Sequence, residues 1–163
     1  MWLEFDSPYP DMDEFEKFYN KTLRFLSYRP RSEKELRDKL KKKKTSGEII
    51  NKIILRLKEN NFINDEEFVK WWIEQRTTFK PRSFRLIKME LKQKGVSNDL
   101  IEKVIDDLRL TIDDLKSAKK LIQKRLSRYK NLPREKKFQK IARFLSSRGF
   151  DYDIIKEIFK SYK

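Results

Sequence analysis

The sequence predicts an all-α protein built from three tandem three-helix repeats that stack into an elongated, curved array. Glycine and proline are scarce, three and five among 163 residues, which leaves little material for hairpin turns. Lys, Glu and Leu, which favour helix, are abundant. Only 37% of the residues are hydrophobic and 41% are charged, but 13% are aromatic, so the chain has enough large apolar side chains to form a core.

The repeat becomes visible when Lys44, Gly95 and Gly149, here called the junction residues, are aligned. Two positions later each copy has a residue that can cap a helix N-terminus: Ser46, Ser97 and Asp151. Positions 3, 4, 7, 8 and 11 after the cap are apolar or aromatic in every copy. They are Ile49, Ile50, Ile53, Ile54, Leu57, Leu100, Ile101, Val104, Ile105, Leu108, Ile154, Ile155, Ile158, Phe159 and Tyr162. This spacing predicts one amphipathic helix after each junction.

A second helix is predicted before each junction. Counting back by 4, 8 and 11 gives apolar residues with one exception, Glu33, which falls in a capping box that begins at Ser32. The positions are Leu40, Leu36, Glu33, Leu91, Ile87, Phe84, Leu145, Ile141 and Phe138. Amphipathic stretches at about residues 12–28, 65–78 and 112–129 supply the first helix of each repeat.

These patterns divide the chain into an N-terminal tail, residues 1–10, and repeats at residues 11–61, 62–109 and 110–163. Fewer than about three such repeats would leave an apolar face exposed, so we expect one continuous array. Three independent domains are the alternative, but no linker rich in Gly, Ser or Pro separates the repeats.

Burial and backbone conformation can be predicted for the second repeat. Gly95 should end the middle helix in a left-handed conformation. Trp72, in line with Phe68, should be buried, whereas the adjacent Trp71 cannot face the same core. The side chains expected to be buried together are Phe84, Ile87, Leu91, Leu100, Ile101, Val104 and Ile105.

The composition argues against catalysis. The chain has no histidine and no cysteine, which removes the commonest general base, the commonest metal ligand and every disulfide. No enzyme, cofactor or metal site is therefore predicted. The acidic pairs Asp106-Asp107 and Asp113-Asp114 are the weak alternative, a metal site or nuclease, but carboxylates near helix ends commonly lie in solvent. Neither a signal peptide nor a membrane-spanning run of apolar residues is visible, so a cytoplasmic protein is expected.

A formal net charge of +15 indicates a polyanion or an acidic protein surface as the partner. Residues 29–44 hold nine basic and three acidic residues, and residues 76–94 hold seven and one. In the first two repeats, cations at 10, 7 and 3 positions before the junction form a stripe on one flank of the middle helix. The stripes are Lys34, Arg37 and Lys41 in repeat 1 and Arg85, Lys88 and Lys92 in repeat 2.

In the third repeat the cations move to the opposite face of the middle helix and to the helix before it. Residues 111–163 hold 16 basic and 6 acidic residues, the largest excess in the chain. The alternative interpretation of these cations is that they form solvated faces that keep a protein with a small core soluble. The contact surface predicted for the whole chain consists of Lys34, Arg37, Lys41, Arg82, Arg85, Lys88, Lys92, Lys94, Lys120, Lys124, Arg128, Lys136, Lys140, Arg143 and Arg148.

Four segments in order resemble the bacterial RecX family of regulatory proteins. They read "SEKELRDKL" from residue 32, "FINDEEFVKWWIEQR" from residue 62, "IKMELKQKGVSNDLIEKVIDDL" from residue 87 and "KIARFLSSRGFDYDIIKEI" from residue 140. The resemblance covers about residues 18–162. The chain departs from the family pattern at residues 79–83, where a glycine-proline turn is common and this sequence has no glycine.

A self-contained array needs no partner subunit, so a monomer is expected. The resemblance implies a non-enzymatic modulator of the RecA recombinase in DNA repair, recombination and the SOS response. It would lie along the groove of the RecA–DNA filament and restrain filament growth, ATP hydrolysis and strand exchange, with weak, salt-dependent binding to single- or double-stranded DNA. Two other functions remain open: a nonspecific nucleic-acid binder without a recombinase partner, and a helical-repeat scaffold for an acidic protein.

Overall fold

The computed structural model describes residues 10–107 and 113–162, and over these ranges the chain is all-α with no strand, as predicted. Nine α-helices lie in the described ranges, three for each predicted repeat. Their bounds are α1 Pro10–Leu26, α2 Glu33–Lys42, α3 Gly47–Glu59, α4 Asp65–Glu74, α5 Phe84–Gln93, α6 Asn98–Asp107, α7 Asp114–Tyr129, α8 Arg134–Ser146 and α9 Tyr152–Ser161. Most of the predicted N-terminal tail, Leu108 and the predicted break at residues 110–111 lie outside the described residues. The elongated, curved stacking stays a prediction.

The chain forms two compact units, which are described separately. Unit 1 contains residues 1–68 and 94–96, and unit 2 contains residues 69–93 and 97–163. In unit 1, α1 and α2 both pack on α3, whose apolar side chains recur at helical spacing. Every one of the five apolar positions predicted for α3 is buried. The core of unit 1 consists of Tyr19, Leu36, Leu40, Ile49, Ile50, Ile53, Ile54, Leu57 and Ile63.

In unit 2, α9 packs against both α7 and α8, and α5 packs against α6. The core of the last three helices is fully apolar and consists of Ala118, Ile122, Ile141, Leu145, Phe150, Ile155 and Ile158. Of the seven second-repeat side chains predicted to be buried, Ile87, Leu91, Ile101 and Val104 are. Phe84, Leu100 and Ile105 are only partly buried, which corrects that part of the prediction. Trp72 is buried and Trp71 partly exposed, as expected.

All three junction residues have the left-handed backbone that the repeat implies. The φ angle is 60° at Lys44, 83° at Gly95 and 85° at Gly149. Gly95 therefore ends its helix as predicted. The two glycines are also required by space, because a Cβ at Gly95 would lie 2.6 Å from the Cβ of Lys34, and one at Gly149 would lie 2.6 Å from the Oγ of Ser83.

The predicted helix caps are present with one exception. Ser32 forms the capping box, since its Oγ accepts from the Glu35 N–H and the Glu35 carboxylate accepts from the Ser32 N–H. Ser46 and Ser97 each accept a hydrogen bond from the backbone N–H three residues on, at 3.3 and 3.2 Å. Asp151 stands at the N-cap of α9, but its side chain makes no capping hydrogen bond.

The predicted helix over residues 65–78 ends differently from the expectation. Its regular part stops at Glu74, and Gln75–Phe79 form a π-helical turn. The Lys80 N–H donates five residues back to the carbonyl of Gln75 at 3.2 Å, which is the π-helical pattern, and the Thr77 hydroxyl donates to the carbonyl of Ile73 at 3.0 Å.

The N-terminus of the middle helix is tied to the following repeat in the same way twice. The Asp65 carboxylate, at the start of α4, accepts from the Glu33 N–H, and the Asp114 carboxylate, at the start of α7, accepts from the Phe84 N–H, both at 2.9 Å. The preceding serine makes a second link: Ser32 Oγ donates to the carbonyl of Lys94 at 2.7 Å, and the Ser83 N–H donates to that of Arg148 at 3.0 Å. Sequence spacing alone did not predict these links.

Candidate nucleic-acid interface

A basic cleft of about 640 Å³ lies in unit 2. Three parts of the chain form it: the segment after the π-helical turn, the middle of α7, and the end of α8 with the turn that follows. Its cations are Lys80, Arg82, Lys120, Lys124, Arg125 and Arg148. No carboxylate is among the described residues that line the cleft. Phe79 stands at the same cleft with 68% of its surface exposed, an unusual environment for so large an apolar side chain.

A buried carboxylate fixes the segment that carries Arg82. Glu90 on α5 is buried, and its two oxygens accept from the indole N–H of Trp72 at 3.0 Å, from Arg76 Nε at 2.7 Å and from Arg82. Because a buried carboxylate is stable only when its oxygens are paired, this cluster holds the π-helical turn and the following segment against α5.

The electrostatic environment of the cleft is strongly positive. Burial, followed by repulsion from Arg76 and Arg148, lowers the pKa of the Arg82 guanidinium. Its Nε is buried and has no hydrogen-bond partner in the structure. Arg82 is paired with Glu90, but the other five cations of the cleft make no ion pair among the described residues. Lysine and arginine side chains that converge in this way are the usual surroundings of a bound phosphate. The arrangement is therefore suited to binding a polyanion.

Two aromatic rings complete the cleft. Phe144 packs under the guanidinium groups of Arg125 and Arg148, at 3.9 and 5.4 Å from the ring centre, which keeps those cations in place. Among the described cation–ring contacts none involves Phe79. Its exposed ring therefore offers a face on which a nucleobase can stack.

The structure brings four of the fifteen predicted contact residues together in this cleft: Arg82, Lys120, Lys124 and Arg148. Lys88 of unit 2 is half-buried and does not line the cleft. Six others of unit 2 are exposed but do not line it, namely Arg85, Lys92, Arg128, Lys136, Lys140 and Arg143. Lys34, Arg37, Lys41 and Lys94 belong to unit 1. The contact surface predicted for the whole chain stays a prediction beyond these four residues.

Most members of the two predicted stripes have partners within the chain. Lys34 pairs with Asp38 at 2.6 Å, Arg37 pairs with Glu33 at 2.7 Å, and Lys94, C-terminal to the second stripe, pairs with Glu35 at 2.7 Å. In the second stripe Lys88 pairs with Glu102, and Arg85 lies 3.6 Å from Asp151. Lys41 and Lys92 are exposed and make no ion pair among the described residues. Four of the six stripe cations therefore have a carboxylate nearby, and the role of the stripes as a contact surface stays a prediction.

Sequence reasoning missed Lys80, Arg125, Phe79 and Glu90 as site residues. A signal existed for two of them, since Lys80 adjoins Arg82 and Arg125 belongs to the basic run of α7. Glu90 carried no signal, because one acid in a basic helix normally indicates a solvated surface position.

The fold and the cleft define a class: a helical-repeat protein with a basic, aromatic-edged groove. Its described residues contain no group of three or more acidic side chains placed to hold a metal ion. None of the helices in the described ranges has the length and apolar character needed to cross a bilayer.

Comparison with known proteins identifies the family. Residues 19–57, 64–105 and 112–159 match the models of the first, second and third three-helix domains of RecX. The chain is 37% identical over 150 residues to the regulatory protein RecX of Clostridium perfringens, covering 91% of this chain and 69% of that protein. The chain belongs to the RecX family.

Other relatives agree in sequence and in structure. Identity to the regulatory protein RecX of Streptococcus uberis is 36% over 140 residues, or 85% of this chain and 53% of that protein. The chain spans about half the length of that relative and of the Bacillus subtilis one. The crystal structure of RecX from Lactobacillus salivarius matches with a TM-score of 0.70 and 29% identity, over 92% of this chain and 97% of that one. A second RecX crystal structure matches with a TM-score of 0.72 at 26% identity, over 90% of this chain and 73% of that one.

Proposed function

We propose that the chain regulates the RecA recombinase without turning over a substrate, by binding the RecA–DNA filament and slowing its ATP hydrolysis, growth and strand exchange. Membership of a family of regulatory proteins supports this proposal. The absence of histidine and cysteine from the sequence is consistent with a regulator that works by binding.

The observation that carries the proposal is the basic cleft of unit 2. Five cations around one groove without an ion pair among the described residues can neutralise several successive phosphates of a DNA strand, beside Arg82, which Glu90 holds in place. The exposed Phe79 ring can stack on a base, and stacking of this kind requires an unpaired strand, such as the strand on which a filament assembles. The cleft would thus hold the chain on DNA while other surfaces contact the recombinase.

The test is a RecA ATPase assay on single-stranded DNA with two matched double variants. Lys120→Glu with Lys124→Glu reverses two cations of the cleft. Lys136→Glu with Lys140→Glu makes the same change in net charge at exposed positions of α8 that do not line the cleft. All four side chains are exposed or near the surface, so circular dichroism should show unchanged helix content for both variants.

The parent should slow ATP hydrolysis at concentrations well below those that coat the DNA. The cleft variant should need roughly 10-fold more protein for the same effect, and the α8 variant no more than about 2-fold. Loss of two phosphate contacts should also reduce the logarithmic salt slope of binding to single strands by about 1.4.

Equal loss in the two variants would show that net charge, and not the cleft, determines binding. An effect of the parent only at DNA-coating concentrations would instead support the nonspecific DNA binder. Metal-dependent DNA cleavage or ATP hydrolysis by the chain alone would contradict its proposed non-enzymatic role.

A further inference from the structure

A five-residue sequence occurs twice in the chain, each time directly before the middle helix of a repeat. It reads Tyr-Arg-Pro-Arg-Ser at residues 28–32 and Phe-Lys-Pro-Arg-Ser at residues 79–83. The third repeat has Pro133 at the position of the aromatic residue and does not contain the sequence. The two copies, here called the aromatic-basic segments, are separated by the same number of residues as the first two junction residues. They therefore occupy corresponding positions of the first two repeats.

The two aromatic-basic segments have the same structure at their ends. The closing serines, Ser32 and Ser83, are buried, and the Oγ of each accepts from the backbone N–H three residues on. The opening rings are bare: Tyr28 is 70% and Phe79 68% exposed, and neither makes a ring–ring or cation–ring contact with a described residue. Each segment is thus fixed at one end and presents a free aromatic face at the other.

The second arginine of the first segment corresponds to the arginine of the second. In the first segment the Arg31 guanidinium carbon lies 3.8 Å from the centre of the Phe25 ring. In the second segment Arg82 is held by Glu90. The Nε of each arginine is buried and has no hydrogen-bond partner in the structure. The likeness therefore extends from sequence to exposed ring and arginine, so a ligand that suits one segment should suit the other.

The surface beside Tyr28 is positive. A groove of about 280 Å³ lies between α1 and α2, and Tyr28 stands at it. Its cations are Lys21, Arg24, Lys39 and Lys43. All four are exposed, none makes an ion pair with a described residue, and none of the described residues that line the groove is acidic. The basic cleft surrounds Phe79 in the same way, with cations and no lining carboxylate among its described residues. Both surfaces suit an anion.

These features favour single-stranded nucleic acid over an acidic peptide. Leu36 and Leu40, beneath the groove, are 0% and 3% exposed, so the apolar side chain of a peptide could not reach them. Cations lie over the Phe18 and Phe25 rings, at 5.4 and 3.6 Å from the ring centres, which leaves Tyr28 as the open ring of the groove. A nucleotide matches an open ring beside unpaired cations, because its base stacks and its phosphate binds lysine or arginine. A base paired in a duplex has no free face, so the strand must be single.

We propose that the first aromatic-basic segment and the groove beside it form a second contact for single-stranded nucleic acid, in which Tyr28 stacks on a base and the four groove cations bind the phosphates next to it. The inference rests on the proposed function, since it extends the stacking role of Phe79 to Tyr28. It adds a site that unit 1 provides on its own, without a residue of the basic cleft.

The test is photochemical cross-linking of the full chain to an oligothymidylate of about 20 nucleotides in which 5-iodouracil replaces some of the thymines. Light couples 5-iodouracil to an aromatic ring that stacks on it, and mass spectrometry of the digested protein identifies the residue. Phe62 is the control ring, because it also belongs to unit 1 and is 53% exposed but lies outside both segments. Strong adducts are expected at Tyr28 and Phe79, with at least about 5-fold less at Phe62.

A charge variant of unit 1 tests the groove cations. Arg24→Glu with Lys43→Glu reverses two of them, and neither side chain makes an ion pair or a cation–ring contact with a described residue. The variant should lower the Tyr28 adduct by about 10-fold and leave the Phe79 adduct within about 2-fold. Circular dichroism checks its folding, and Arg24→Gln with Lys43→Gln repeats the test with a smaller change of charge at the two helix ends.

The converse variant is Lys120→Glu with Lys124→Glu in the basic cleft, which should lower the Phe79 adduct and spare the one at Tyr28. The proposal is overturned if Tyr28 forms no more adduct than Phe62, or if the cleft variant loses both adducts. In either case a Phe79 adduct on the parent leaves the proposed function standing, whereas an adduct at Tyr28 alone would refute the role of the cleft and keep the second contact. Stronger suppression of the Tyr28 adduct by polyglutamate than by unlabelled oligothymidylate of equal charge would identify an acidic peptide as the ligand and would also overturn the proposal.

Discussion

The sharpest test of the repeat architecture is Gly149→Ala. The backbone at this junction has φ 85°, which a residue with a Cβ adopts only at a cost. The new methyl group would also lie 2.6 Å from Ser83 Oγ and 2.7 Å from Leu86 Cβ, both shorter than an ordinary van der Waals contact. Leu86 Cβ cannot rotate away, so α5 or the junction must move.

The expected magnitude follows from these two contributions. A left-handed conformation costs a residue other than glycine about 1–2 kcal/mol, and crowding of a packed site adds about 1–3 kcal/mol. A shift of the backbone relieves part of both costs at once. Alanine also reduces the conformational entropy of the unfolded chain, which stabilises the fold by up to about 1 kcal/mol. We therefore expect the free energy of unfolding to fall by about 2–4 kcal/mol. This is a large part of the total of roughly 5–15 kcal/mol that is usual for a domain.

Urea unfolding followed by circular dichroism at the helix band measures this change. Gly47→Ala is the matched control, since Gly47 lies in the first turn of α3 and a Cβ there has no neighbour within 4 Å. It should be neutral or stabilising by up to about 1 kcal/mol. Lys44→Gly gives the converse test at the first junction, with an expected gain of about 0.5–1 kcal/mol from relief of its φ of 60°. If Gly149→Ala and Gly47→Ala proved equally stable, the argument from φ and contact distance would be wrong.

Three further predictions concern single side chains. Glu90→Ala should lower the free energy of unfolding by about 2–3 kcal/mol in the same urea assay, because two arginines and an indole N–H lose a buried acceptor while the arginines keep some access to water. Burial raises the pKa of Glu35, but hydrogen bonds from Arg29 and Lys94 lower it by more, so its folded pKa lies below the ordinary value. Glu35 should thus stabilise the fold above about pH 4.3, with that contribution lost as the pH falls through the folded pKa, and Glu35→Gln should make the urea midpoint less sensitive to acid. Phe79→Ala should weaken binding to oligothymidylate by about 1–3 kcal/mol in fluorescence titration yet change stability by less than about 0.5 kcal/mol, since the ring is 68% exposed; unchanged affinity would exclude stacking.

The helices could be predicted from sequence because each obeys a local rule. The apolar spacing after Ser46 places five residues on one face of α3, and no tertiary contact is needed to read that face. The capping box at Ser32 and the left-handed Gly95 follow from residue type in the same way. The π-helical turn could not be predicted, because the apolar spacing does not tell a bond to the residue four back from the bond that Lys80 makes five back to Gln75.

The candidate sites were harder to predict than the fold. Arg82, Lys120 and Arg148 were each marked by charge, but their convergence on one cleft depends on how distant segments pack within unit 2. The stripes show the same limit, and their role as a contact surface stays a prediction: the spacing identified the cations, but not the partners Glu102 and Asp151, which lie far along the chain from Lys88 and Arg85. Periodicity shows which face a residue is on, and pairing across the fold decides whether its charge is available.

The twofold link at the start of the middle helices has a consequence for synthesis on the ribosome. In the folded protein the Glu33 N–H donates to the Asp65 carboxylate and the Ser32 hydroxyl to the Lys94 carbonyl. Both acceptors come later in the chain, so α2 is synthesised before either partner is present. At about 5–20 residues per second, the second partner follows after roughly 3–12 s. During that interval the N-terminus of α2 lacks its hydrogen bond to Lys94. A nascent chain arrested between Asp65 and Lys94 should therefore be cut by protease near α2 more readily than the completed protein.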